Sequence, residues 1–132
     1  MKINQSYLKG MLEAFESAKT PTTDIKELND KGFKYSEDQF IFHLKILADQ
    51  GFVKGEQGSD LGYKKGAGGD IIWSVVPLRL TSQGHDFIEI LNTSEVWNTI
   101  KTEFNDASIG TLWKVSKDLF EKYIKKKIES IV

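Results

Sequence analysis

Apolar residues recur every three or four positions near the start of the chain, which is the spacing of amphipathic helices. The first predicted helix covers about residues 4–18. Its apolar face consists of Leu8, Met11, Leu12 and Phe15. Pro21 separates this helix from the next, because proline disfavours helical geometry in the residue before it. A short second helix is predicted over about residues 24–30, with Gly32 as the left-handed residue that ends it.

The stretch from Ser36 to Val53 shows a third helical pattern. Ser36 and Gln39 have the spacing of a capping box, so we expect Ser36 to begin a helix that stops at Gly51. The core-facing residues are Phe40, His43, Leu44, Leu47 and Ala48. The opposite side carries Asp38, Phe42, Lys45 and Asp49. The second and third helices, residues 24–50, have the length and spacing of a helix-turn-helix.

Two strands are predicted next, over residues 52–57 and 70–77. Residues of the second strand alternate between two faces, with Ile71, Trp73 and Val75 on one and Ile72, Ser74 and Val76 on the other. This alternation predicts a strand with one face well buried. The segment between the strands, residues 58–69, is rich in glycine, which suits a mobile hairpin tip. Pro77 places the end of the second strand at an edge, because proline has no amide hydrogen to donate.

Three further helices are predicted in the last third of the chain. Thr81 is placed to cap a helix over residues 82–91, and a fifth helix restarts at residues 92–95. A loop over residues 105–110 leads into a last helix from about residue 111 to the end. Its broad apolar stripe consists of Leu112, Val115, Leu119, Phe120, Tyr123, Ile124, Ile128 and Ile131.

These elements predict an α+β protein that is mainly α, namely a winged helix-turn-helix with a two-stranded wing hairpin and additional C-terminal helices. With 132 residues and 39% hydrophobic content, the chain can build one compact core but not two. We therefore expect a single domain over residues 1–132. Its winged-helix core would cover about residues 4–91, and a helical extension about residues 92–132.

Composition narrows the class of protein. The chain has no cysteine, which excludes disulfides, thiolate metal sites and cysteine nucleophiles. No apolar run approaches the roughly 18 residues of a membrane span, and the first residues lack the apolar core of a secretory signal. We therefore expect a cytoplasmic protein with no membrane partner.

Charge argues against strong electrostatic binding of DNA. The formal net charge is −1, and residues 24–53 contain four lysines against six carboxylates. A domain that holds DNA mainly by charge usually has a basic excess on its reading elements.

Three runs follow one another in the chain: HLKILADQGFV, LTSQGHDFIEIL and VWNTIK, with the glycine-rich segment after the first. In this order they resemble an uncharacterised winged-helix family found in bacteria and their phages. The matching positions are His43, Leu44, Leu47, Gly51, Phe52, Leu80, Thr81, Gly84, His85, Phe87, Val96, Trp97 and Asn98. The resemblance covers about residues 36–104 and implies a small module of the DNA-binding type, without an established activity.

The candidate DNA-binding residues are Gln39, Phe42, Lys45, Lys54, Lys64 and Lys65. We expect Lys45 to reach a phosphate or a guanine edge and Phe42 a thymine methyl or sugar, with the wing lysines on the backbone. The alternative is that Phe42 packs under the first or last helix and the lysines are ordinary solvated charges. Asp38 and Asp49 beside Lys45 would repel phosphates, and an exposed aromatic among mixed charges also fits a protein interface.

The two histidines offer no clear chemistry. Neither His43 nor His85 lies in a recognised metal-binding pattern, and no nucleophile–base pair or paired carboxylates can be identified. We expect His43 to be a partly buried core residue and His85 to bond to local backbone. The sequence therefore predicts no enzyme, no cofactor and no metal.

The predicted partner is double-stranded DNA, which would make the protein a small transcriptional regulator or a phage accessory factor; the alternative partner is another protein. The apolar stripe of the last helix is wider than one small winged helix needs. It either folds back over the first helix or pairs with a second copy through residues 111–131, as in twofold helix-turn-helix dimers.

Overall fold

The computed structural model describes residues 1–56 and 60–132. The helices in this part of the chain are α1 (Gln5–Glu16), α2 (Ile25–Asp30), α3 (Asp38–Asp49), α4 (Ser82–Leu91), α5 (Ser94–Glu103) and α6 (Ile109–Ile131). The strands, all between α3 and α4, are β1 (Val53–Gly55), β2 (Tyr63–Lys65), β3 (Ile71–Trp73) and β4 (Leu78–Leu80). The protein is α+β and mainly helical, with an antiparallel hairpin and additional C-terminal helices, as predicted. Gln57 and Gly58, where the predicted first strand meets the predicted loop, lie outside the described residues.

Local capping positions several helices where the sequence predicts them. Asn4 caps α1, Asp24 caps α2 and Thr81 caps α4, each accepting a hydrogen bond from the backbone amide three residues on. These bonds satisfy amides that the first turn of a helix leaves free. The last helix begins two residues earlier than predicted, at Ile109, because Ser108 supplies a cap of the same kind.

The predicted capping box of α3 is wrong. Ser36 lies in a turn, α3 begins at Asp38, and its N-cap Glu37 makes no side-chain capping bond. The reason is local, since the Glu37 amide already donates to the Lys34 carbonyl at 3.1 Å and closes a turn ahead of the helix. Gln39 donates from Nε2 to Glu37 Oε2 at 2.9 Å instead of completing a box.

The strand pairing differs from the single hairpin that the sequence predicts. β1 pairs with β4, with Val53 opposite Leu80 and Gly55 opposite Leu78, while β2 and β3 form a separate hairpin between them. β4 is a strand rather than a connection, because Leu78 and Leu80 are buried on one side and Arg79 points to the other. β2 lies inside the segment predicted as a glycine-rich loop.

Thr23 adds a third, one-residue strand beside β4. Its amide donates to the Leu78 carbonyl at 2.7 Å, and its carbonyl accepts from the Leu78 amide at 2.8 Å. The order across the sheet is therefore Thr23, β4, β1. This arrangement, with a short strand before α2 and a hairpin between two paired strands after α3, fits the predicted winged helix.

The β2–β3 hairpin buries less surface than predicted. Ile71, Ile72 and Val75 are 41%, 57% and 48% exposed, whereas Trp73 and Val76 pack against the core. An alternating pattern shows which residues share a face of a strand, but not whether another element covers that face. The prediction of a well-buried face is therefore wrong for most of this strand.

An aromatic cluster joins the C-terminal helices to the main core. Phe52 and Phe87 stack with ring centroids 4.6 Å apart, and Trp113 of α6 meets them edge-on at 5.1 and 5.3 Å. Burial of large rings in such arrangements contributes strongly to core stability. A second cluster, which holds α4, α5 and α6 together, is built on Ile90, Val96, Ile100 and Leu112.

A group of hydrogen bonds fastens the start of α4 to the end of α3. The Thr81 hydroxyl donates to the Gly51 carbonyl, and the Thr81 amide donates to the Phe52 carbonyl at 2.9 Å. Gln83 donates from Nε2 to the Gln50 carbonyl at 2.9 Å. We call these three bonds the α3–α4 latch. They satisfy carbonyls just beyond the last turn of α3, which that helix cannot satisfy itself.

Because Gly84 has no side chain, α4 can pack directly against the backbone carbonyl of Phe52. A Cβ at this position would overlap the carbonyl oxygen of Phe52 and lie 3.1 Å from Leu80 Cδ2. We predict that Gly84→Ala lowers the free energy of unfolding by about 2–4 kcal/mol, because α4 would have to move away from the backbone of Phe52. Chemical denaturation measures the change.

Gly110→Ala is the matched control, since Gly110 is also helical and a Cβ there meets nothing within 4 Å. We expect Gly110→Ala to leave the free energy of unfolding unchanged or to raise it by up to about 1 kcal/mol, because alanine restricts the unfolded chain and favours the helix. Equal stability of the two variants would contradict the close contact at Gly84.

His43 links α1 to α3 inside the core. It is 1% exposed, its Nε2 accepts from the Asn4 amide at 3.0 Å, and its Nδ1 lies 2.6 Å from the Gln39 carbonyl. These partners require a neutral ring with the proton on Nδ1, which donates to Gln39. Burial lowers the pKa of His43 from its ordinary value, against the smaller opposing effect of the Gln39 carbonyl.

The lowered pKa of His43 predicts a loss of stability in mild acid. Below about pH 6.5 the unfolded state takes up a proton that the folded state refuses, so stability is complete above that pH and falls below it. The expected slope from this one group is at most about 1.4 kcal/mol per pH unit. Denaturation midpoints measured between about pH 8 and pH 5 test it.

His43→Gln should remove this component of the pH dependence, and His85→Gln, at an exposed position, should retain it. The same slope in wild type and His43→Gln would show that His43 does not set the pH response.

Candidate nucleic-acid interface

The polar side of α3 forms the centre of the candidate interface. We refer to Asp38, Phe42, Lys45 and Asp49 as the outer ridge of α3. The two aspartates and the lysine are exposed and the phenylalanine is half-buried. The predicted core-facing residues Phe40, His43, Leu44 and Leu47 are buried on the other side, which confirms the orientation of the helix.

The β2–β3 hairpin is docked against α3 by aromatic side chains. The Trp73 ring centroid lies 5.6 Å from that of Phe40 and 5.7 Å from that of Tyr63. The indole Nε1 donates to the carbonyl of Tyr35, in the turn before α3, at 3.2 Å. Trp73 therefore fixes the position of the hairpin relative to the first turn of α3, through both packing and a hydrogen bond.

Lys45 connects the outer ridge to the hairpin. Its Nζ lies 5.4 Å from the ring centroid of Tyr63, within the range of a cation–π contact. Tyr63 and Lys65 share one face of β2, because successive strand residues alternate. The structure thus brings Lys45 and Lys65 to the same side of the hairpin. Lys64 points to the other face, where it pairs across the strands with Ile72.

Lys54 stands apart from the hairpin lysines. It is exposed on β1, opposite Arg79 of β4. Arg79 is paired with Glu56, with 2.9 Å between Nε and Oε2. The β1–β4 sheet therefore carries its own small group of charges, one of which is already neutralised.

Phe42 faces the N-terminal segment rather than the hairpin, and Gln39 is engaged within the start of α3. Phe42 lines a cleft of about 350 Å³ with Ile46, residues 1–3 and residues 105–109. The side-chain amide of Gln39 donates to Glu37, and the backbone carbonyl of Gln39 accepts from His43. Phe42 therefore lines one side of this cleft, with the loop before α6 also among its walls, and its side chain is half-buried.

Charges of both signs are mixed on this surface. Asp38 and Asp49 lie on the same ridge as Lys45, and Asp70 precedes β3 close to the hairpin tip. Alternation of cations and carboxylates weakens the field that would draw a polyanion to the surface. Attraction by the lysines is therefore local rather than spread over the whole face.

Sequence reasoning missed Tyr63 and Trp73 as parts of the site. The glycine-rich composition assigns Tyr63 to a loop, and the alternation assigns Trp73 to a buried strand. In the structure they are cross-strand partners. Two aromatic residues at equal distances from a glycine-rich turn are a pattern that could have identified the hairpin, because aromatic cross-strand pairs stabilise such structures.

Tyr7 packs beside the buried histidine on the inner side of α3. Its ring centroid lies 4.7 Å from that of His43, and its buried hydroxyl has no hydrogen-bond partner among the described residues. Burial, and then the nearby Glu37 carboxylate, raise the pKa of Tyr7 to about 12. The Tyr7 hydroxyl therefore stays protonated near neutral pH and adds no charge to this part of the interface.

Within residues 1–56 and 60–132, no group of three or more His, Asp or Glu side chains could hold a metal ion. The same part of the chain contains no helix that is both long and apolar enough to cross a membrane.

Residues 2–110 match the family of hypothetical proteins designated DUF2513. Neither the curated proteins nor the solved structures contain a match to this chain. The family match runs from the residues before α1 to the first turn of α6, so it includes the outer ridge, the hairpin and the α3–α4 latch. Membership of an uncharacterised family, which the motifs indicate, is confirmed. The chain belongs to the DUF2513 family.

Proposed function

We propose that the protein is a winged helix that binds double-stranded DNA, as a small transcriptional regulator or a phage accessory factor in the cytoplasm. α3 would lie in the major groove with Lys45 toward a phosphate or base edge, and the β2–β3 hairpin would lie on the adjacent backbone. A twofold homodimer belongs to the same proposal, because it would present two α3 helices to two half-sites.

The observation that carries the proposal is the docking of the hairpin beside the outer ridge. The contacts of Trp73 with α3 and of Lys45 with Tyr63 make one continuous surface from a helix and a wing. A surface that is already in place before binding loses less conformational entropy when a ligand is bound.

The mixed charges set the expected strength of binding. Lys45, Lys64 and Lys65 are the cations nearest the ridge and hairpin, so about three phosphates would be neutralised. A log–log salt slope of about −3 and micromolar affinity for random duplex follow from that number. Such a protein would depend on base contacts or on dimerisation for specificity.

We predict that Lys45→Glu, Lys64→Glu and Lys65→Glu each weaken binding to a random duplex about 5–10-fold and make the salt slope shallower by about 1. Fluorescence anisotropy at low salt measures the dissociation constants. Lys114→Glu on α6 is the control, because it changes net charge equally at an exposed position outside the ridge and hairpin.

Two results would overturn DNA binding by this surface. One is an absence of binding by the wild type at tens of micromolar, well above the micromolar dissociation constant expected for it. The other is an equal loss in Lys114→Glu and Lys45→Glu, which would reduce the effect to net charge alone.

A second candidate function is recognition of another protein by the same face. It is favoured by the exposure of Ile71, Ile72 and Val75 on and after β3, since exposed apolar side chains near aromatic residues are typical of interface cores. The two aspartates of the outer ridge also suit a protein better than a polyanion. Failure of the wild type to bind duplex in the same titration would favour this function.

A further inference from the structure

The two halves of α6 have different surroundings. In the first half, Leu112 and Ser116 are buried, and Trp113 packs on Phe52 and Phe87. In the second half, Ile128 and Ile131 are 56% and 76% exposed. The core therefore uses mainly the first half of the predicted apolar stripe, and the end of the stripe is exposed.

Two half-buried and two exposed apolar residues form a face of their own on α6. Phe120, Ile124, Ile128 and Ile131 fall within an arc of about 80° around the helix axis, and this arc is turned about 100° from Leu112 and Ser116. We call these four residues the α6 outer stripe. A groove lined by Asp118, Phe120, Glu121, Lys122, Ile124 and Lys125 runs along it.

We propose that the α6 outer stripe is the interface with a second copy of this chain, whose α6 lies antiparallel against it. The inference deepens the homodimer that belongs to the proposed function, but its evidence lies on α6 and its test does not require DNA binding. Isologous contact of this kind uses the same patch on both copies.

Charge complementarity selects both the occupant and its direction. Lys125 and Lys127 flank the stripe between Ile124 and Ile128, whereas Lys126 points to the opposite side of the helix. At the N-terminal end of the stripe, Asp86 and Glu89 of α4 line a shallow cavity together with Phe120, Glu121 and one lysine, Lys117. An antiparallel copy brings the lysines of each helix to the carboxylates of the other.

A parallel pair is disfavoured by the same charges. It would place Lys125 of each helix beside Lys127 of the other, and like charges side by side destabilise a helix pair.

The spacing of the stripe gives the register. We place the twofold axis at the level of Tyr123 along α6. Each of Phe120, Ile124 and Ile128 then lies between two side chains of the second copy instead of directly opposite one. In this register Glu121 is level with Lys125 of the second copy. Both residues lie on the same flank of the stripe, and an antiparallel twofold keeps like flanks together. Two reciprocal ion pairs result.

Sedimentation velocity on the full chain without DNA tests the proposal. Protein concentrations of about 1–300 μM are suitable, because a helix pair of this length is a small interface of micromolar strength. We expect a monomer–dimer equilibrium that Ile124→Asp weakens at least about 10-fold, since it buries a charge in an apolar contact. Ile128→Asp, at a more exposed position, repeats the test should Ile124→Asp impair folding, which far-UV circular dichroism reports.

A charge swap tests register and partner together. Glu121→Lys and Lys125→Glu should each raise the dimer dissociation constant about 5-fold, and the double variant should restore it to within about 2-fold of wild type. The double variant can restore binding only if both partners carry both changes. This condition is met by a second copy of the chain and not by an unrelated protein.

A wild type that remains monomeric throughout this range, or a double variant no better than either single variant, would overturn the proposal. Cosedimentation of a monomer with anionic phosphatidylserine vesicles would overturn it in favour of a lipid surface, the other occupant that a lysine-rich amphipathic helix can take. Loss of DNA binding in a variant that still dimerises would count only against the proposed function.

Discussion

The close approach of α4 to the carbonyl of Phe52, which the missing side chain of Gly84 permits, is the contact on which the rest of the structure depends. It holds the start of α4 against the end of α3, and the latch bonds from Thr81 and Gln83 fix the two helices in that position. Phe52 also stacks on Phe87 of α4. Phe52, which lies just beyond the end of α3, is therefore held in place both by its carbonyl and by its ring.

The candidate interface follows from this constraint. The latch holds the C-terminal end of α3, while Trp73 holds the hairpin to the N-terminal end through Phe40 and the Tyr35 carbonyl. The outer ridge thus has a fixed position next to the hairpin before any ligand is bound. Shape is the stronger part of the DNA proposal and charge is the weaker part, because Asp38 and Asp49 lie beside Lys45 on the same ridge.

Features that depend on a few neighbouring residues could be predicted from the sequence. The Thr81 cap and the glycine stop at Gly51, whose φ is 76°, each depend on a single local geometry. The start of α3 could not be predicted from Ser36, because Ser36 lies inside a turn closed by the Glu37 amide and the Lys34 carbonyl, which leaves Glu37 as the N-cap.

Non-local features were harder to predict for a different reason. The pairing of β1 with β4 joins strands separated by a glycine-rich segment, where no local pattern specifies the partner. In the candidate site, the sequence identified Lys45 and Lys65, but the aromatic contacts that place them on one side depend on how the hairpin folds back. The exposure of Ile128 likewise depends on where α6 leaves the core and not on its own periodicity.

The most direct test of the central claim is the mapping of backbone amide chemical shifts in the ¹⁵N-labelled protein during titration with a random duplex at low salt. DNA binding by the helix and hairpin predicts shift changes in the outer ridge of α3 and in β2–β3, with α5 and the second half of α6 unaffected. No change at tens of micromolar DNA, or changes confined to α6, would contradict it.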